Sequence, residues 1–352
     1  MIMAPPTDLP IVLYHYGLSP YAQRLVWYLN LRKIPYSECL QPRILPRPDL
    51  ACLGISYRRI PVLSIGRDIY LDTRLIFAKL ESLYPPTASY PGISSAAVGN
   101  PEGVALEQLL TTRAVEGGLF SAAPLTLPPA VFDDPKFQRD RAALMGVNLD
   151  MPGAKSPFSK EIMARKRPEA LGVLREYILW LEGGLLADGR EWILPSGDGG
   201  PSLADIEAAW VLHWVRETLP PEILGPESAP RAHAWLARFA DAVKKAATAA
   251  GKASRLKGDA AARTILGAAF AEEGLGVRAG DDPTAVAAGG LQKGDVVRVW
   301  PADYGYSHKD SGRLVAFTAL EVVIEVEGEF GSVRLHVPRH GFKFAKAAMS
   351  KM

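Results

Sequence analysis

Three short motifs in the first quarter of the chain constrain its fold more than any other feature. Residues 11–16 form an apolar, β-rich run that predicts a buried strand. Ser19-Pro20 is a typical helix start, with a hydroxyl at the cap and proline in the first turn. Arg59-Ile60-Pro61 precedes a predicted hairpin, and Asp72-Thr73 precedes a second helix. The predicted order β-α-β-loop-β-β-α is that of a thioredoxin-like domain, which we place at residues 8–85.

The rest of the chain divides by composition and periodicity. Residues 86–100 are rich in Ser, Pro, Ala and Gly and predict a linker, and residues 101–280 predict an all-helical domain. Apolar residues recur at helical spacing over 104–120, 160–186, 203–219, 229–250 and 260–273. Residues 281–352 alternate with period two and predict a small, barrel-like β-rich extension of three or four antiparallel strands. The fold class is therefore multidomain α/β plus all-α, with a β-rich tail.

Composition excludes several classes of function. A net charge of +2 gives no electrostatic argument for nucleic-acid binding, and no apolar run reaches the ~20 residues that span a bilayer. The start of the chain lacks a secretory pattern, and Cys39 and Cys52 form no Cys-x-x-Cys pair. The histidines have no ligand spacing. We expect a cytoplasmic protein without a metal.

The motifs resemble those of a known enzyme family. Ser19-Pro20-Tyr21-Ala22-Gln23-Arg24 is similar to the start of the first helix in omega- and tau-type glutathione transferases. Arg59-Ile60-Pro61-Val62-Leu63 resembles their cis-proline segment, and Leu71-Asp72-Thr73 stands where they have Glu-Ser or Gln-Ser. Ser202–Asp205 is similar to the capping box of their helical domain. The resemblance covers roughly residues 8–250, and tails like this one are typical of certain fungal relatives.

The resemblance implies that Ser19 is the catalytic residue and contacts the thiol of glutathione. A free thiol titrates near ~8.5, so it needs stabilisation as a thiolate. The Ser19 hydroxyl can donate a hydrogen bond, and the amides of the helix it starts carry positive partial charge. The alternative is that Ser19 only caps the helix. Tyr14, Tyr16 and Tyr21 are rival hydroxyls, with core packing or a pocket wall as their alternative roles.

The other glutathione contacts follow from the same resemblance. A cis Pro61 would expose the backbone of Ile60 to strand-like pairing with the cysteinyl part, although prolines also open ordinary strands. Thr73 would hold the γ-glutamyl carboxylate at a helix start and Asp72 the ammonium; plain capping explains Thr73 equally well. Arg47, or Arg43, would pair with the glycyl carboxylate, unless both are solvated. Tyr21 completes this predicted set.

The second substrate is expected between the domains, beside the predicted helix 104–120. Tyr16, Arg113, Glu116 and Phe120 would line that cleft, with packing or solvent exposure as the alternative. We expect a transferase that conjugates glutathione to a hydrophobic electrophile, in detoxification or secondary metabolism. A glutathione-dependent isomerase or tailoring enzyme and a non-catalytic binding or dimerisation module remain alternatives. The resemblance also implies a homodimer, with glutathione as the co-substrate.

The residue type at position 19 makes a first prediction. Omega-type relatives have cysteine there and exchange thiols, so Ser19→Cys should introduce thioltransferase activity at the expense of conjugation. The measurement is disulfide exchange with a glutathione mixed disulfide, beside conjugation of a generic aryl halide. A variant that gains no disulfide exchange would contradict this placement of Ser19.

Overall fold

A computed structural model describes residues 9–272, Thr284 and 290–347. Its first domain has the predicted order of elements. These are β1 (Ile11–His15), α1 (Pro20–Leu31), β2 (Ser37–Leu40), α2 (Pro48–Ala51), β3 (Val62–Ile65), β4 (Asp68–Leu71) and α3 (Thr73–Leu83). Strand β1 lies parallel to β2 and antiparallel to β3, and Gly66, with φ +53°, turns β3 into β4. The thioredoxin-like prediction is confirmed.

Alternation along β1 assigns its side chains to two cores. Ile11 and Leu13 face one core, which contains α1, α3 and the helical region, whereas Val12 and Tyr14 face a second core. All five residues of the strand are buried, because both faces of the sheet are covered. The second core is filled by α2, by the helix Gly258–Leu266 and by strands near the end of the chain.

The helical region contains α4 (Pro101–Val115), α5 (Leu119–Ala122), α6 (Pro135–Leu144), α7 (Lys160–Trp180), α8 (Leu203–Val215) and α9 (Pro230–Ala250). The helix predicted over 104–120 is broken after Val115, because Gly118 adopts φ +88°. Helix α8 begins at the predicted capping box: the amide of Ser202 donates to Asp205 Oδ2 at 2.9 Å, and the amide of Asp205 donates to Ser202 Oγ. No described helix is long and apolar enough to cross a membrane.

The segment after α9 packs against the first domain and not, as predicted, within the helical region. Ser254–Arg255 forms β5 and pairs in parallel with β2, extending the sheet at that edge. Helix α10 (Gly258–Leu266) then buries Ala261, Ala262 and Ile265 in the second core. The helix predicted over 260–273 ends at Leu266, and residue 273 and the predicted boundary at 280–281 lie outside the described residues. Burial of this apolar face explains why the chain returns to the first domain.

The C-terminal strands differ from the prediction in number and in attachment. They are β6 (Val296–Pro301), β7 (Asp310–Phe317), β8 (Glu321–Gly328), β9 (Gly331–Pro338) and β10 (Phe342–Lys346), called the β-extension below. They form an antiparallel meander, as expected, but of five strands and not three or four. Strands β7 and β8 are separate because Thr318 Oγ1 accepts from the amides of Leu320 and Glu321 in a tight turn.

The β-extension does not close into a separate barrel among the described strands. The sheet has ten strands in the order β10-β6-β7-β8-β9-β4-β3-β1-β2-β5, and β9 pairs in parallel with β4. Inward side chains of the extension, such as Val297 and Leu335, share the second core with Val12 and Tyr14. This shared apolar core attaches the extension to the first domain and leaves β4 with a strand on each side.

A buried group of charged side chains joins β4 to β9. His336 is fully buried, and its Nε2 lies 2.9 Å from Asp68 Oδ1 while its Nδ1 lies 3.0 Å from Glu321 Oε2. The Lys79 ammonium bonds Glu321 at 2.6 Å and Glu272 at 2.7 Å. Burial alone would lower the pKa of His336, but its bonds to the two carboxylates raise that pKa above its ordinary value. Both ring nitrogens face carboxylate oxygens, and an imidazole donates from both nitrogens only when it is protonated.

Because of these buried charges, we expect the free energy of unfolding to depend on pH. The pKa of His336 is raised, so its contribution to the free energy of unfolding is complete below about pH 6.5 and is lost as the pH rises through the raised pKa. His336→Gln should cost about 3 kcal/mol near neutral pH, since it leaves buried carboxylates without their partner. Urea unfolding of wild type and variant at a series of pH values measures the difference, which should shrink in alkali.

His233→Gln is the matched control, because His233 is exposed. A difference for His336→Gln that stays constant as the pH rises would show that neutral, not protonated, His336 occupies the junction.

Candidate functional site

The N-terminus of α1 positions Ser19. Its amide donates to the Tyr16 carbonyl at 3.0 Å, and its Oγ accepts from the amide of Ala22 at 3.3 Å. The helix has no acidic residue in its first turn, so its positive end is not neutralised from within. Ser19 is only 3% exposed. Because Oγ already accepts one hydrogen bond, its proton remains available to donate to another group.

The loop before β3 presents Ile60. We call residues 55–61 the site loop; its Ile60-Pro61 peptide bond is cis, as predicted. Ile60 and Tyr57 are buried, whereas the Arg59 side chain is partly exposed. Burial raises the pKa of Tyr57. The positive charge of Arg59 lowers this pKa, and the negative charge of Asp72 raises it. The site loop therefore lies beside the start of α3.

Asp72 and Thr73 begin α3 with an unusual backbone. Asp72 has φ +66°, a conformation that is costly for a residue with a side chain and that clusters at functional sites. Its carboxylate accepts from the Arg74 amide and Nε at 3.0 Å and from Arg74 Nη2 at 2.9 Å. Burial would raise the pKa of Asp72, but these bonds lower it below its ordinary value. Thr73 follows, buried in the first turn.

An aromatic wall lies between the first domain and the helical region. Tyr21 on α1 contacts Phe120 and Trp210, each at 4.7 Å between ring centroids, and Phe120 stacks on Trp214 at 5.8 Å. Tyr21, Phe120 and Trp214 are partly exposed. Burial raises the pKa of Tyr21. The charge of Arg24 lowers this pKa, and the charge of Asp72 raises it. This wall is an apolar surface adjacent to the polar groups at the start of α3.

The structure brings some predicted residues together and not others. Glu116 joins the site, since its Oε1 accepts from Arg74 Nη1 at 2.7 Å and lies 2.6 Å from His340 Nε2. Arg113 instead pairs with Glu176 on α7, away from the start of α3. Arg47 is buried, and its guanidinium bonds the carbonyls of Pro42 and Arg58, so it braces the site loop.

The rival tyrosines have other surroundings. Tyr14 is fully buried in the second core, its hydroxyl has no hydrogen-bond partner among the described residues, and burial raises its pKa. Tyr16 is partly buried and packs against the same core. Of the three tyrosines, only Tyr21 faces the aromatic wall. Its predicted role as a pocket wall fits this position.

Sequence reasoning missed several residues that stand around this site. Arg59 opens the cis-proline motif, and Arg74 directly follows Asp72-Thr73. Their positions beside these motifs could have identified them from the sequence. Asp303, Tyr304 and His340 come from the β-extension, where no sequence pattern connects them to residues 19–73. Only the fold brings them there.

One group among the described residues has the composition of a metal site. Donor atoms of Glu272, Glu321 and His336 lie within 4.8 Å of one another. The Lys79 ammonium bonds both glutamates, however, and both His336 nitrogens already have carboxylate partners. The group is therefore satisfied by its own positive charges, and the absence of a metal stays a prediction.

Comparisons with known proteins agree with this architecture. Residues 13–88 match the family model described as glutathione S-transferase, N-terminal domain, and residues 121–248 match one described as a domain of unknown function (DUF7962). No curated protein matches the chain. A GST-like protein from Pseudomonas syringae is 24% identical over 96% of this chain and 100% of its own, with a TM-score of 0.63.

Two further solved structures are similar over about two thirds of the chain. The Tau class glutathione S-transferase of mango, Mangifera indica, is 17% identical over 67% of this chain and 92% of its own, with a TM-score of 0.44. A glutathione S-transferase from Methylobacterium radiotolerans, in complex with glutathione sulfonate, is 22% identical over 66% and 94%, with a TM-score of 0.42. Residues 13–88 therefore match the model of a glutathione S-transferase N-terminal domain, and the chain has a GST-like fold.

The paired carboxylate at the start of α3 makes a prediction about stability. Asp72→Asn should lower the free energy of unfolding by about 1–3 kcal/mol, because it removes the charge that holds the largely buried Arg74 side chain. Chemical denaturation measures this cost. Asp188→Asn is a matched control: Asp188 bonds the amide, Nε and Nη2 of Arg190 in the same pattern, but on the surface.

We expect no measurable change for Asp188→Asn, since exposed pairs contribute little. Equal effects of the two substitutions would contradict the importance of burial at Asp72.

Proposed function

We propose that this protein binds glutathione and transfers it, as a thiolate, to a hydrophobic electrophile. The observation that supports this most is that Tyr21, two residues after Ser19, lies close enough to Arg59 of the site loop and to Asp72 at the start of α3 for their charges to act on its hydroxyl. The match of residues 13–88 to the glutathione S-transferase N-terminal domain supports the same ligand. We also propose that the protein is an omega- or tau-like glutathione transferase of the serine type, similar to the fungal members that have a β-rich tail.

Ser19 would stabilise the thiolate. Its Oγ accepts from Ala22, which orients the hydroxyl and leaves its proton to donate outward. A hydrogen bond to a charged group contributes about 1.5–3 kcal/mol, and the helix amides add to it. Lowering the thiol pKa from about 8.5 by one unit needs only ~1.4 kcal/mol, so this one contact suffices.

The two ends of the tripeptide would meet opposite charges. The γ-glutamyl carboxylate fits the N-terminus of α3 at Thr73, and Asp72 has one lone-pair position left for the ammonium. Arg59, next to Ile60, would take the second carboxylate, because Arg47 is engaged with backbone carbonyls. The electrophile would pack on the partly exposed rings of the aromatic wall, Tyr21, Phe120 and Trp214.

A binding module without turnover is the second candidate. The observation that favours it is the Asp72 carboxylate, which Arg74 already holds on both oxygens. A glutathione-dependent isomerase would share every group named above and differ only in its second substrate. A homodimer and a cytoplasmic location are further proposals from the resemblance.

Turnover with a generic aryl halide tests the proposal. Ser19→Ala should lower kcat/KM about 10–100-fold while glutathione affinity changes little, because the lost bond acts on the thiolate. Ser19→Thr keeps both the hydroxyl and the cap and should retain most activity. Thermal unfolding is measured alongside, since loss of the cap costs about 1 kcal/mol.

Glutathione binding without turnover in the wild type would favour the second candidate or an isomerase. Unchanged turnover in Ser19→Ala would remove Ser19 from the mechanism.

A further inference from the structure

The β-extension holds the site loop at several points. The buried carboxylate of Asp310 accepts from the amide of Ser56, and the Phe342 ring stacks on Tyr57 at 5.9 Å between centroids. Gly305 approaches the Arg58 side chain so closely that an added Cβ would lie 3.1 Å from it. The loop that presents Ile60 is therefore supported by the extension, and the extension forms part of the proposed site.

The turn after β6 reaches Arg59 directly. The carbonyl of Tyr304 accepts from Arg59 Nε at 3.0 Å and also from Nη2, and the Asp303 carboxylate accepts from the same Nη2. Arg59 thus has two kinds of partner: a backbone oxygen that orients the guanidinium and a carboxylate that neutralises it. A neutral carbonyl orients without cancelling the charge, whereas a carboxylate occupies the place a ligand carboxylate would take.

The backbone of this turn is fixed on both sides of Asp303. The amide of Ala302 donates to the Gly341 carbonyl at 2.9 Å, and the amide of Gly305 donates to the Leu144 carbonyl at 2.8 Å. The Asp303 side chain itself is 54% exposed, and that of Arg59 is 23% exposed. Rotation of the Asp303 side chain toward solvent can therefore release Arg59 while the Tyr304 carbonyl still orients it.

We propose that Asp303 is the specificity-determining residue of this site: its carboxylate occupies Arg59 in place of a ligand carboxylate. A ligand that brings a carboxylate to Arg59 displaces Asp303 into solvent and restores the neutral pair. A ligand with a neutral group there leaves Asp303 in place and gains nothing from Arg59. The inference rests on the proposed function, because it assigns the second carboxylate of glutathione to Arg59.

Competition between the two carboxylates predicts a gain of affinity when one is removed. In Asp303→Asn, Arg59 keeps a hydrogen-bond acceptor of the same shape but loses its counter-charge. Glutathione should bind about three- to tenfold more tightly, a modest factor because partly exposed ion pairs contribute little each. Glutathione ethyl ester, esterified at the glycyl carboxylate, should bind wild type and variant equally.

Isothermal titration of glutathione and of this ester against each protein is the experiment. Asp303→Glu keeps the charge and should show no gain. Asp259→Asn, which removes the carboxylate of an exposed pair with Arg263 on α10, controls for a general change of charge. Thermal unfolding should give the same midpoint for all of these variants.

The outcomes separate the inference from the function on which it rests. Wild type that binds glutathione, with no gain or a loss in Asp303→Asn, overturns the inference alone, because Asp303 then does not compete. An equal gain for the ester also overturns it, since the effect would not depend on a ligand carboxylate. No binding of glutathione to any of the proteins overturns the proposed function as well.

Discussion

The parallel pairing of β9 with β4 is the constraint on which the rest of the structure depends. It joins the five strands of the β-extension to the four-stranded sheet of the thioredoxin-like domain, and β5 at the opposite edge brings the continuous sheet to ten strands. Buried charges at this junction would be costly if they were unpaired, and here each has an opposite partner: His336 lies between Asp68 and Glu321, and Lys79 neutralises the same glutamate. Charge pairing therefore specifies which strands meet, while the shared apolar core supplies the attraction.

That attachment also explains how the candidate site is built. The first domain supplies Ser19, Ile60 and Asp72, the helical region supplies Phe120 and Glu116, and the β-extension supplies the turn at Asp303 and Tyr304. Each part contributes a different kind of surface: hydrogen-bonding groups at two helix starts, an aromatic wall, and charges that face the site loop. A glutathione transferase-like reaction needs the first two, and the third controls what reaches Arg59 in the function we propose.

Local sequence patterns correctly predicted the elements that are stabilised by nearby residues. The strand at 11–16, the helix start at Ser19 and the capping box Ser202–Asp205 are stabilised by groups within a few residues, and the structure has all three. The break after Val115 and the turn that splits β7 from β8 depend on one glycine or one threonine, so periodicity alone missed them. The return of α10 to the first domain has no local cause at all.

The sequence by itself determined the thioredoxin-like order, the two helix starts and the position of Ser19, Ile60 and Asp72 within them, because each depends on hydrogen bonds and side-chain spacing along a short stretch of chain. Only the tertiary structure decided that Arg47 braces the site loop and that Asp303 meets Arg59. Contacts between residues some 240 positions apart arise from how apolar faces pack, and the pattern of neither segment alone specifies its partner.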